Sequence, residues 1–183
     1  MKRILIFFLF FFIVTVQAAF AQEIISTNAA TAAITPTPVE YQLPYPGLLP
    51  DSPLYFLKVF RDRLIDFLVS DPLKKAELQL LQADKRLSSG QALFGKGKKD
   101  LAESTISKGE NYFESGIEKL IDAKKQRFDT KHLERKFSIS VRVHKEIISG
   151  LEKETTGDIK KKLQDTKKRV AEFEKKVNQF GSN

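Results

Sequence analysis

Pro72-Leu73-Lys74-Lys75-Ala76-Glu77-Leu78-Gln79-Leu80-Leu81-Gln82-Ala83-Asp84-Lys85-Arg86-Leu87-Ser88-Ser89-Gly90-Gln91-Ala92-Leu93-Phe94 decides the fold. Within it Leu73, Ala76, Leu80, Ala83, Leu87, Gly90 and Phe94 recur at spacings of three and four, the period of a helix with one apolar seam. Large and small residues alternate along that seam, which is how two neighbouring helices interdigitate. Asp71 ahead of Pro72 supplies a side-chain cap and a first-turn proline, and Gly95-Lys96-Gly97 ends the element.

Toward the C-terminus the same period repeats. A helix of about Lys99 to Phe128 carries Ile106, Gly109, Phe113, Gly116, Leu120 and Ala123 on its seam, with Ile117 and Ile121 beside them. Interior glycines cost a helix about 1 kcal/mol each relative to alanine, so Gly109 and Gly116 predict close backbone approach by another helix. Asp129 or Thr130 can cap the next helix, whose seam is Leu133, Phe137, Val141, His144, Ile148 and Leu151, with Ile147 alongside. Thr155-Thr156-Gly157-Asp158 breaks the pattern, and Ile159, Leu163, Thr166, Val170, Phe173, Val177 and Phe180 form a final seam.

Toward the N-terminus, Asp51-Ser52-Pro53 opens a helix from Pro53 to about Val69, with Ser52 as cap. Its apolar face is wide: Leu57, Phe60, Leu64 and Phe67, broadened by Ile65 and Leu68. Tyr41 to Pro50 is too rich in proline to be helical, and its aromatic and leucine side chains predict a strap laid on the domain. Residues 23–39, with Thr35-Pro36-Thr37-Pro38, read as an extended spacer.

The fold class expected is therefore all-α: an antiparallel up-and-down bundle, or elongated hairpins, of five helices after a signal peptide and spacer. Short connections make sequential helices antiparallel neighbours. The expected divisions are an export segment at 1–21, an Ala/Thr/Pro-rich spacer and strap at 22–46, a helical domain at 47–128 and a C-terminal helical hairpin at 129–183.

Lys2-Arg3, the apolar run Ile4 to Val16 and the Ala19-Phe20-Ala21 site have the order of a signal peptide, with Gln22 as the expected mature start. Ile4 to Ala21 also approaches the ~20 residues of a spanning helix, so an uncleaved anchor is the other reading. Both place the bulk of the chain outside the cytoplasm, either secreted or tethered to the membrane. The 183 residues contain no cysteine, which excludes thiol lipidation and disulfide staples, so the fold must stand on side-chain burial alone. Without Lys2 and Arg3 the chain carries 29 basic against 23 acidic residues, a net charge of +6.

Gly47-Leu48-Leu49-Pro50-Asp51-Ser52-Pro53-Leu54-Tyr55-Phe56-Leu57-Lys58, then Asp71-Pro72-Leu73-Lys74-Lys75-Ala76-Glu77 and Ala83-Asp84-Lys85-Arg86-Leu87, resemble a bacterial and archaeal exported family catalogued as a domain of unknown function. Its hallmarks are an LPDSPLYxLK segment and a KAEL helix ending in A-x-x-R-L. The resemblance covers about Gly47 to Gln126 and implies an extracytoplasmic helical domain. It offers no catalytic or ligand residues, and Ser88-Ser89-Gly90 stand where many members continue with acids.

No constellation specifies a chemistry. His132 and His144 are the only histidines, without an HExxH pattern or a cysteine to complete a zinc site. His144 reads as a hydrogen-bonded seam residue and His132 as an exposed one. Gly95-Lys96-Gly97-Lys98-Lys99 lacks the spacing of a phosphate loop. No catalytic, cofactor-binding or metal-ligating residue is expected, and no cofactor; the chain is not expected to be an enzyme.

The expected function is a structural or interaction module of the cell envelope, meeting another envelope protein or itself. One alternative is a polyanion-binding protein that contacts anionic glycopolymer, a membrane surface or extracellular DNA through Lys96, Lys98, Lys99, Lys124, Lys125, Lys131, Arg135, Lys160, Lys161, Lys162, Lys167, Lys168 and Arg169. Arg127 and Lys136 lie beside these clusters. The other is an envelope enzyme or enzyme inhibitor with an unrecognised site.

Overall fold

A computed structural model of the chain describes residues 41–182; the export segment and the spacer expected over 1–40 lie outside that range. Five α-helices follow the strap: α1 Tyr55–Leu68, α2 Pro72–Gly95, α3 Lys99–Lys125, α4 Lys131–Lys153 and α5 Gly157–Asn178, with a short 3-10 turn at Gln179–Ser182. There is no β-strand among the described residues. The all-α expectation holds.

Asp71 caps α2 as read from the sequence, its carboxylate accepting the Lys74 amide at 2.9 Å with Pro72 following in the first turn. Gly97 closes the α2–α3 turn at φ +77, a conformation in which a Cβ would be strained. Two helix ends differ from expectation. Helix α1 starts at Tyr55 rather than Pro53, because the Ser52 hydroxyl accepts the Leu54 amide in a turn at 3.4 Å instead of capping a helix. Helix α3 stops at Lys125 rather than Phe128, where Arg127 takes a left-handed φ of 65 and turns the chain.

The seams of α2 to α5 meet in one core. Ala76, Leu80, Ala83 and Leu87 of α2 join Ile106, Phe113, Ile117 and Leu120 of α3, Phe137, Val141 and Ile148 of α4, and Leu163, Val170, Phe173 and Val177 of α5. Helices α2 and α3 form one close hairpin and α4 and α5 a second; α3 lies on α5 and α2 on α4, while the α3 and α4 backbones stand apart and meet through long side chains such as Phe113 and Phe137. The order around the bundle is therefore α2, α3, α5, α4, and the 126–130 connection crosses its diagonal. Chain neighbours α3 and α4 stand diagonally across the core rather than side by side, a correction to the expectation for sequential helices.

Small residues let the α2–α3 pair close. A Cβ on Gly109 would lie 3.3 Å from the Ala83 carbonyl oxygen and 3.0 Å from Arg86 Cβ. One on Gly116 would lie 3.3 Å from Gln79 Cβ of α2 and within 2.8 Å of the Phe137 ring of α4, and one on Gly90 within 2.3 Å of Ile106 Cγ1. The close approach read from the seam glycines is present.

Helix α1 departs from the rule the other four obey. None of its residues is buried. Its polar side faces the domain: Asp66 accepts the Gln79 amide at 2.6 Å and pairs with Lys75 at 3.3 Å, and the Tyr55 hydroxyl accepts from Arg86 at 3.2 Å. The Lys58 ammonium donates to the Pro46 carbonyl of the strap at 2.7 Å. The wide apolar stripe is left pointing away from the bundle.

Candidate functional site

A charged cluster lies in the apolar interior. His144 of α4 and Glu110 of α3 are fully buried, and Asp84 of α2 nearly so. The imidazole bridges both acids, with Nδ1 2.8 Å from Glu110 Oε1 and Nε2 3.0 Å from Asp84 Oδ1. Ser140, one turn before His144, donates to Asp84 Oδ1 at 2.7 Å, and the Tyr41 hydroxyl of the strap donates to Asp84 Oδ2. The ring of Phe113 covers His144, with centroids 5.0 Å apart. Glu110 Oε2 is buried without a partner among the described residues.

Burial by itself pushes the imidazole down, but the Glu110 charge and the hydrogen bonds the ring donates to both acids outweigh it and raise His144 to about 9. The Tyr41 phenol is pushed well above its ordinary value, first by burial and then by the Asp84 charge, so it stays a donor. His144 is thus an imidazolium that donates from both nitrogens, joining α2, α3 and α4 across the core.

A histidine whose folded value lies above its unfolded 6.5 contributes stability that is complete below pH 6.5 and lost as pH rises through about 9. At ~1.4 kcal/mol per tenfold proton affinity, the loss is on the order of 3 kcal/mol. Urea midpoints measured at pH 6 and pH 9.5 will show the domain weaker at the higher pH, and the difference will vanish when His144 is replaced.

The cluster does not fit a nucleophilic relay. Both ring nitrogens are engaged by carboxylates, so none is left to accept the Ser140 proton, which goes to Asp84 instead. A shallow hollow of about 520 Å³ reaches Asp84 between the strap and α2, past Tyr41, Pro44, Leu78 and Leu81, but Tyr41 occupies the carboxylate it leads to. Among the described residues no group of three His, Asp or Glu side chains could hold a metal ion.

The basic residues singled out from the sequence divide between the two ends and one flank of the bundle. Lys96, Lys98 and Lys99 share the α2–α3 end with Lys160, Lys161 and Lys162 at the start of α5, whereas Lys124, Lys125, Lys131 and Arg135 occupy the opposite end. Lys167, Lys168 and Arg169 lie along α5. Several are already paired: Lys96 and Lys98 hold Asp51 at 3.1 and 2.9 Å, Lys124 holds Glu134 at 3.2 Å, and Arg169 reaches Glu114 at 3.4 Å. Lys167 pairs with Glu152, and Lys168 with Asp165 at 3.0 Å.

The second candidate is the outer side of α1. Phe56, Leu57, Phe60, Leu64, Phe67 and Leu68 are all exposed, Phe60 at 68% and Phe67 at 81%. All of these but Phe56 stood on the wide apolar face expected for this helix from the sequence, which placed His144 on its seam without its two acids.

The family match runs over residues 47–182, through all five helices and past the stretch that carries the resemblance in sequence. The chain belongs to the family Domain of unknown function (DUF5667). No curated protein and no solved structure matches it. The DUF5667 match takes in both candidates, α1 with its outward stripe and the Asp84–His144–Glu110 cluster, and excludes Tyr41, the residue that seals Asp84 from the strap.

Proposed function

We propose that this DUF5667 protein is an exported, non-enzymatic interaction module of the cell envelope that works through the outward side of α1. One observation carries the reading: six large apolar side chains of one helix face water while its charged side is hydrogen-bonded to the domain. Fully burying a Phe or Leu gains about 1.5–3 kcal/mol, so leaving six of them out forgoes a large stabilisation, and a contiguous patch of this kind marks a surface that meets something else. Export is supported by the Lys2-Arg3, Ile4 to Val16 and Ala19-Phe20-Ala21 pattern. The non-enzymatic part is supported by the occupied nitrogens of His144 and its burial beneath Phe113.

The compact unit Val39–Asn183 contains every residue of the core and is a suitable test protein free of the apolar export segment. Added to washed envelope fractions, this unit will sediment with them, and the double variant Phe60→Glu/Phe67→Glu will stay in the supernatant. Equal sedimentation of the two proteins would refute the reading.

A further inference from the structure

We infer that the occupant of the α1 face is an anionic lipid surface, with the helix lying in the plane of the interface. This rests on the docking role just proposed and names what α1 docks on.

Charge is sorted unevenly around the helix. At ~100° per residue, Phe56, Phe60 and Phe67 form one half of the apolar face and Leu57, Leu64 and Leu68 the other. Arg63 borders Phe60 and Phe67, and Arg61 borders Leu57 and Leu64, so a guanidinium flanks each edge of the stripe. Both arginines are exposed. Of the two acids of α1, Asp66 is tied to Lys75 and Gln79 of α2, and Asp62, its side chain only 15% exposed, accepts from the Arg61 guanidinium at 2.7 Å on the side away from the stripe. Cations beside an apolar face with acids held behind it is the arrangement of an interfacial helix, whose apolar side chains enter the acyl boundary while its cations meet phosphate headgroups.

The patch continues onto the strap. Tyr45, 84% exposed, and Leu48 lie by Leu57 and Arg61 around one shallow hollow, which Lys58 and Lys85 also line. An exposed tyrosine at the rim of an apolar patch is suited to a boundary between hydrocarbon and water. A second copy of the chain fits less well, because a two-fold contact sets the same patch against itself, and both of its edges carry cations, Arg63 on one and Arg61 on the other, rather than a cation facing an acid.

The test uses the Val39–Asn183 unit in flotation with vesicles of phosphatidylglycerol and phosphatidylcholine, against vesicles of phosphatidylcholine alone. Binding at least tenfold stronger to the anionic vesicles, and weakened several-fold between 50 and 500 mM salt, is expected. Phe60→Glu/Phe67→Glu will lose at least tenfold in binding while keeping its circular dichroism and unfolding midpoint, since both side chains already stand in solvent. Arg61→Gln/Arg63→Gln will lose the preference for phosphatidylglycerol. Failure of the unaltered unit to float with anionic vesicles, or flotation indifferent to the phenylalanine substitutions, overturns the lipid assignment. If flotation fails while envelope retention still depends on Phe60 and Phe67, the docking role stands and its occupant is a protein. A concentration-dependent dimer that the same variant abolishes without lipid assigns the face to a second copy and overturns the lipid reading. Loss of phenylalanine dependence in every assay overturns both.

Discussion

Replacing His144 by leucine is expected to lower the stability of the domain by about 3–5 kcal/mol, the cost of removing one partner from a buried charge pair. The side chain itself would fit the seam, since Ile148 and Val141 beside it are apolar and fully buried. What the protein loses is the cation that bridges Asp84 and Glu110: both carboxylates would then be held in the interior, with Ser140 and Tyr41 serving Asp84 and, among the described residues, nothing serving Glu110. Domains of this kind are stable by only ~5–15 kcal/mol, so the loss is a large fraction of the total. Urea unfolding at pH 7 measures it. Adding Asp84→Asn and Glu110→Gln to the leucine variant will restore part of the loss, because neutral amides are cheaper to bury than unpaired carboxylates. A His144→Leu protein as stable as the original at pH 7 would show that the cluster carries no such charge coupling.

Phe113→Ala is the other change of this size, expected to cost about 3–5 kcal/mol through lost burial and the cavity left behind. Phe113 stands at the centre of the bundle, edge-on to Phe137 at 5.3 Å, stacked on Phe173 at 5.8 Å and over His144 at 5.0 Å. Its ring joins α3 to both α4 and α5, so its removal loosens the junction of the two hairpins. Phe113→Leu, which keeps most of the volume, will cost about 1 kcal/mol. A double-mutant cycle with Phe137→Leu should return a coupling of ~0.5–1.5 kcal/mol for the aromatic pair. Thermal and urea midpoints report all three, and an alanine variant within 1 kcal/mol of the original would place the core elsewhere.

Much of the architecture was legible before any coordinates. The three-and-four spacing from Leu73 to Phe94 and its repeats located α2 to α5, and nearly every seam residue named from them is buried or half-buried. Asp71 and Pro72 marked a helix start, and Gly109 and Gly116 marked close approach. The charged cluster was half legible. A histidine on an apolar seam needs a partner, and Glu110, between Ile106 and Phe113, and Asp84, between Leu80 and Leu87, sit one position off the seams of α3 and α2. The pairs are separated by 34 and 60 residues in the chain, however, and spacing within one helix cannot say which acid of another helix lies opposite.

The amino-acid sequence by itself determined which segments are helical, where most of them start and stop, and which side of each is apolar, because those properties depend on neighbours within a turn or two. Only the tertiary structure decided which apolar sides meet. It set the order α2, α3, α5, α4, brought Asp84 and Glu110 onto His144, and left the Phe56–Phe60–Phe67 stripe of α1 facing water. The reason is that the hydrophobic effect has no direction: periodicity shows that a surface gains by being covered, whereas the identity of its cover is settled by competition among all the surfaces the chain offers.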